Sequence, residues 1–378
     1  MSIESMVDHS RAETLRVLSH VQDLRTPSVV YSRHALTTAA QGLSDAVSAV
    51  FGSRGAVAFS TKCNPRTEIL EQLAAEGCSF IAAWPRDVQH LLRLGVPATS
   101  IFWSGPLKRA TDISAMRRAR IVPVVESPSQ FASVLLGCAE PGDHDVIGIR
   151  LHFTERSRFG VTIEDLSPHL RSVKAHGISR VGFQVHGLAG PWPPPCAHWA
   201  ERAAAANRGH ELADKFGLEV AFVSLGGGLP EPSEPAREAY MEAALPYLAA
   251  AHQVMSPVPR VLVEPGRFLV QWSGTMVASV VDVRHRRDAV HVILDLSFTS
   301  LASPTSTELA PVLLADGDRG PDRDLLFVGP SDFHGDLLCR AAGPVPNAGD
   351  LVAFPRVGAY QEAFAAHRAE PQLRIVTI

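Results

Sequence analysis

Eight short apolar runs, separated by longer stretches whose apolar residues recur at helical spacing, dominate the chain between residues 55 and 264. They are Ala56–Phe59, Ser79–Ala82, Ser100–Trp103, Ile121–Val125, Val146–Leu151, Val181–Val185, Glu219–Ser224 and Arg260–Val263. A short apolar run without alternation reads as a strand buried on both faces. The stretches between them, such as residues 65–77, 86–95, 163–177 and 198–217, read as helices, each ending at a glycine. Eight such β/α units predict a closed parallel (β/α)8 TIM barrel; an open doubly wound sheet is the alternative the same rhythm leaves.

Beyond residue 270 the texture changes. Segments such as SGTMVASVVDVRHRR, HVILDLSFT, DLLFVGP and DLVAFPRVGAY alternate, carry β-branched residues and are broken by Pro, Gly and Asp. This predicts an all-β module, with the polar stretch 303–324 as a long surface loop. The expected division is a barrel over residues 30–270 and a β-rich domain made from residues 1–29 and 271–378.

At 378 residues the chain is long enough to bury such a core. A formal charge of −4 with scattered arginines gives no basic stripe for nucleic acid. No run approaches the ~18 uncharged apolar residues of a membrane span. The first twenty residues mix charges with apolar positions and lack the pattern of a secretory signal, so a cytoplasmic protein is expected. Five isolated cysteines without a C-x-x-C pair read as reduced thiols, and the 16 histidines form no metal-ligand spacing. Small molecules are the expected partners.

In a barrel the reactive side chains belong just past the strand C-termini. The first run is followed by Ser60-Thr61-Lys62-Cys63-Asn64-Pro65, the sixth by His186, the seventh by Gly226-Gly227-Gly228 and the eighth by Glu264-Pro265-Gly266-Arg267. A lysine in a barrel mouth loses hydration, which favours the neutral amine needed for Schiff-base chemistry. A glycine triplet lets backbone N–H groups approach a phosphate, and Glu264 and Arg267 suit a protonated ring nitrogen and an anion. Singly, each has a plainer reading: a solvated lysine, a tight turn, a surface ion pair, a structural histidine. Their meeting at one end of one barrel favours a shared site.

Taken together these residues resemble the fold-type III pyridoxal-phosphate (PLP) enzymes, whose barrel is of the alanine racemase type, and within them the diaminopimelate, ornithine and arginine decarboxylases. The resemblance spans roughly residues 26–361 and adds G-P-S-D-F-H-G-D at 329–336 and G-A-Y at 358–360. It implies that Lys62 carries PLP as a Schiff base, that His186 stacks on the pyridine ring and that Glu264 pairs with the ring nitrogen. Gly226, Gly227, Gly228 and Arg267 would hold the phosphate, helped by Tyr360. It also implies a homodimer with shared active sites and an amino-acid substrate.

The substrate side departs from the family. The cysteine that protonates the carbanion is replaced by Asp332, the serine three positions after the histidine by Ala189, and an arginine that grips a distal carboxylate by Ser303. Ile81 is expected after the second strand in place of an aspartate, and Asp87 in place of a glutamate. The expected function is α-decarboxylation of a non-standard amino acid, with Lys62, His186 and Asp332 as catalytic residues. A racemase, epimerase or other lyase is the alternative, and a non-catalytic PLP-binding protein a lesser one.

Overall fold

A computed structural model describes residues 14–16, 18–19, 24–136, 146–154, 157–187, 193–301, 309–314, 320–360 and 374–378. The described residues form two compact units. One comprises residues 39–232 and 236–268; the other comprises 1–38, 233–235 and 269–378.

In the first unit, strands β2 (Gly55–Ser60), β3 (Ser79–Ala82), β4 (Ile101–Trp103), β5 (Val122–Val125), β6 (Val146–Leu151), β7 (Arg180–Val185), β8 (Glu219–Ser224) and β9 (Val261–Val263) form a closed barrel. All eight predicted runs are strands, and the pairing of β2 with β9, from Gly55 opposite Val261 to Val57 opposite Val263, decides for the closed form over the open sheet. Helices α1 (Arg33–Phe51), α2 (Thr67–Ala75), α3 (Pro85–Arg93), α4 (Ala110–Arg118), α5 (Pro128–Leu136), α6 (Ile163–Ala175), α7 (Ala197–Lys215) and α8 (Arg237–His252) alternate with the strands. Their ends follow local chemistry. The Thr162 hydroxyl accepts the Asp165 N–H at 3.2 Å to cap α6. Gly217 leaves α7 with a φ of +63° that a side chain would resist.

The barrel interior is filled by unequal side chains: Ala58, Ile81, Phe102, Val124, Ala221, Phe222 and Leu262. Phe222 lies edge-on to Phe102 at 5.0 Å. It reaches over β7, where a Cβ on Gly182 would stand 2.1 Å from its ring. Ile81 is thus part of this packing inside β3, as the run Ser79–Ala82 predicted, and not beyond the strand, where the family resemblance put it. At the N-terminal end of the strands, Arg260 lies over the Phe102 ring at 5.4 Å and donates to Ser79 Oγ at 2.8 Å.

The second unit contains β1 (Ser28–Tyr31), β10 (Gly274–His285), β11 (Val290–Leu294), β12 (Val312–Leu313), β13 (Arg323–Val328), β14 (Leu337–Gly343), β15 (Leu351–Pro355) and β16 (Arg374–Thr377). It is the C-terminal all-β module predicted, joined by β1. β10 is its spine: residues 274–279 pair with β1 and β15, and residues 280–285 pair with β11 across an irregularity between Val280 and Asp282. The first half is buried on both faces, whereas from Val281 to His285 the strand is half-buried or exposed. The stretch 303–324 is not the single long loop expected, because β12 within it pairs with β15 and covers Val277 and Ala353. No helix among the described residues is long and apolar enough to cross a membrane.

Gly182→Val should therefore force Phe222 off its site and lower unfolding stability by about 1–3 kcal/mol, read from the urea midpoint at unchanged m-value.

Candidate active site

Lys62 sits on a single 3-10 turn, Thr61–Cys63, immediately after β2. Thr61, Cys63 and Asn64 are buried around it, so the turn is anchored while the lysine projects. Thr61 Oγ1 donates to Asp87 Oδ2 at 3.1 Å, and Asp87 Oδ2 also receives the Trp84 N–H at 3.2 Å. Burial raises the Asp87 carboxyl, partly offset by these bonds. The Ser60 N–H donates to Pro265 O at 3.0 Å and ties the lysine turn to the Glu264–Arg267 segment.

Lys62 is reached by water, yet protein surrounds it densely enough to desolvate its amine, as in a concave mouth. That desolvation, with the Arg150 charge added, lowers its pKa, and Glu264, Cys63 and Glu126 pull the other way. Among the described residues its Nζ makes no hydrogen bond and no ion pair. A lysine held this way costs stability and gains reactivity.

His186 follows β7 and meets the glycine turn that follows β8. The Gly227 N–H donates to His186 Nδ1 at 3.1 Å, which leaves the ring proton to Nε2. Desolvation first, then the charges of Lys62, Arg150 and Arg202, hold His186 well below the usual histidine range, so it is neutral. A Cβ at Gly226 would lie 2.5 Å from His186 Nδ1, and one at Gly227 2.4 Å from Glu264 O. The first two glycines of the triplet thus serve close backbone approach, at Gly226 with a φ of +70°. The Gly227 N–H, expected to face a phosphate, is engaged by His186; Gly228 follows with a φ of +93°.

Glu264 follows β9 and is buried. Its Oε1 accepts Gln184 Nε2 at 2.6 Å and the Ser224 hydroxyl at 2.5 Å, and Gln184 is itself oriented by the Ser104 hydroxyl at 3.1 Å. Oε2 takes no hydrogen bond from the described residues, so one carboxylate oxygen remains for a donor such as a protonated ring nitrogen. Arg267 lies 3.8 Å from Glu231.

The remaining predicted residues belong to the β-rich unit. Tyr360 is half-buried with a φ of +65°, uncommon for a tyrosine. Asp332 is exposed in the turn between β13 and β14. That turn is organised by Asp336, which is buried and accepts the Ser331 N–H at 3.2 Å, the Ser331 hydroxyl at 2.6 Å and the Phe298 N–H at 2.8 Å. Ala189 and Ser303 lie outside the described residues.

Sequence reasoning missed a polar cluster on the neighbouring strand ends. Arg150 in β6 pairs with Glu126 at 3.4 Å and lies over the Phe159 ring at 4.5 Å. Burial pulls Lys108, over Trp103 at 5.3 Å and donating to Gly105 O, down to about 8. Arg150 and Gln184 each interrupt an apolar strand, in IGIRL and GFQV, and that interruption was the available signal.

Over residues 40–271 the chain matches the family described as "Pyridoxal-dependent decarboxylase, pyridoxal binding domain". It is 27% identical to the diaminopimelate decarboxylase of Zymomonas mobilis, across 93% of this chain and 87% of that one. It is 24% identical to a lysine/ornithine decarboxylase of Selenomonas ruminantium, across 82% and 80% respectively. The crystal structure of a Paramecium bursaria Chlorella virus arginine decarboxylase shares the fold, with a TM-score of 0.81 at 16% identity, covering 98% of this chain and all of that one.

Because Lys62 holds its proton less tightly folded than unfolded, its charge opposes folding below its folded pKa, and the penalty fades as pH rises toward the ordinary value of 10.5. Lys62→Met should therefore raise the Tm of ligand-free protein at pH 7, with the gain shrinking toward pH 10.5 in a calorimetric series.

Proposed function

We propose that this chain, which belongs to the pyridoxal-dependent decarboxylase family and uses pyridoxal 5′-phosphate as its cofactor, removes the α-carboxylate of an amino acid outside the standard housekeeping set. The observation that carries the assignment of Lys62 is its desolvated amine, without a partner among the described residues, on an anchored turn beside the Glu264 segment. Bound PLP supplies an electron-withdrawing ring that accepts the electron pair released when the carboxylate leaves.

The chain's own residues divide the remaining work. Lys62 offers a neutral amine for a covalent bond to a carbonyl carbon and recovers that amine at the end of turnover. Neutral His186 offers a flat ring face and does not compete for protons. Glu264, oriented by Gln184 and Ser224, keeps a proton on a ring nitrogen through Oε2. We assign phosphate binding to Gly226, Gly227, Gly228, Arg267 and Tyr360, with the Gly227 N–H shared with or released from His186. To Asp332 we assign delivery of the proton that replaces CO2 at Cα. Its place in the segment that carries a cysteine in the family supports a substrate different from the usual ones. The same resemblance supports a homodimer with shared active sites, to be tested by sedimentation equilibrium.

Purified protein should be yellow, and borohydride should abolish the colour and fix the cofactor's mass on the peptide containing Lys62; colourless protein that takes up no PLP overturns the assignment. Across a panel of amino acids, CO2 release is expected. Solvent deuterium at Cα with the carboxylate retained would instead mark a racemase. Asp332→Asn should cut kcat by about 10²-fold or more while leaving the visible band intact, the scale of a lost general acid.

A further inference from the structure

We infer that Arg202 is the positioning residue for His186, clamping the two loops that bring its ring against the glycine turn. Arg202 lies in α7, the helix that connects β7 to β8, and is fully buried. Its guanidinium donates to three backbone carbonyls. One terminal nitrogen reaches Leu225 O at 2.9 Å and Gly227 O at 2.6 Å; the other reaches Gly187 O at 2.6 Å. The last carbonyl also contacts His198 Nε2 at 3.0 Å.

The three carbonyls bracket one hydrogen bond. Leu225 O belongs to the peptide plane before Gly226 and Gly227 O to the plane after Gly227. Between them lies the plane whose N–H meets His186 Nδ1 at 3.1 Å. Gly187 O belongs to the residue that directly follows His186, one peptide plane further along. Both partners of the contact are therefore held by one planar, forked cation, a geometry that a single ammonium point charge does not reproduce.

Stability alone does not account for this arginine. Desolvating a guanidinium costs several kcal/mol, and an apolar side chain of similar volume is often as good or better for stability. Among the described residues Arg202 has no carboxylate at ion-pair distance and its Nε no hydrogen-bond partner; its guanidinium lies over the Trp199 ring at 5.2 Å, and Glu264 acts on it only through its field. Burial draws it down to about 10, so it stays charged at neutral pH. Its charge joins those of Lys62 and Arg150 in keeping the imidazole unprotonated. The clamp thus determines both where the ring lies and which nitrogen carries its proton.

The geometric part of this inference stands without a cofactor; its consequence for PLP affinity rests on the reading given above. In cofactor-free wild type, ¹⁵N NMR of the imidazole nitrogens, assigned by loss of the signal in His186→Gln, should show Nδ1 unprotonated and one tautomer. A proton on Nδ1 overturns the inference whatever any variant does. Arg202→Lys, which keeps the charge but not the fork, and Arg202→Met should give mixed tautomers. They should also weaken PLP binding about tenfold, measured by equilibrium absorbance, the scale of one lost buried hydrogen bond. A folded variant with a wild-type tautomer and affinity refutes it; if Arg202→Met does not fold, Arg202→Lys and the wild-type spectrum decide. Wild type that binds no PLP would fail the functional reading and leave the tautomer measurement to judge Arg202.

Discussion

Closure of β2 onto β9 is the constraint on which the rest of the barrel unit depends. Three residue pairs, Gly55 with Val261, Ala56 with Leu262 and Val57 with Val263, join the ends of the sheet and remove its edges. Once closed, the strand C-termini form a ring. Residues as distant along the chain as Lys62 and Glu264 then follow adjacent strands, linked at their ends by the Ser60 to Pro265 hydrogen bond. The Phe222 ring stacked over the small residues of β6 and β7 fills the interior that this closure encloses.

The mouth carries a concentration of buried polarity that the core would not choose. Glu264, Glu126, Lys108 and Arg202 are all nine-tenths buried or more. Each is tolerated because a specific partner compensates it: Gln184 and Ser224 for Glu264, Arg150 for Glu126, the Gly105 carbonyl for Lys108, three carbonyls for Arg202. Lys62 differs from these in having no such bond among the described residues, and its lowered pKa is the electrostatic expression of that difference. Uncompensated desolvation at one residue, surrounded by compensated charges, is a common arrangement for a nucleophilic amine.

Much of this was legible in the chain. The eight runs matched strands to within a residue or two at each end, because burial on both faces leaves no room for polar alternation. Lys62, His186, the glycine triplet, Glu264 and Arg267 were singled out because they follow apolar runs, and the structure places each of them just past a strand end. Ile81 was placed inside the strand by the run Ser79–Ala82 and beyond it by the family resemblance, and the structure sides with the run. Arg202 was missed for a different reason. In the stretch AERAAAAN it looks like one of many solvated helix charges, although its spacing three residues after Trp199 puts it on the buried stripe.

What the amino-acid sequence determined by itself is the order and burial of the elements and the identity of the residues at their ends, since hydrophobic periodicity and turn chemistry are local properties. The tertiary structure alone decided which of those ends meet, and with what proton inventory. Gln184 reaches Glu264 across 80 residues, Gly227 reaches His186 across 41, and Arg202 joins residues 187, 225 and 227. Such contacts depend on strand register and barrel closure, and no local pattern encodes them. The neutral state of His186 and the lowered pKa of Lys62 arise from charges those contacts assemble, so they too belong to the fold.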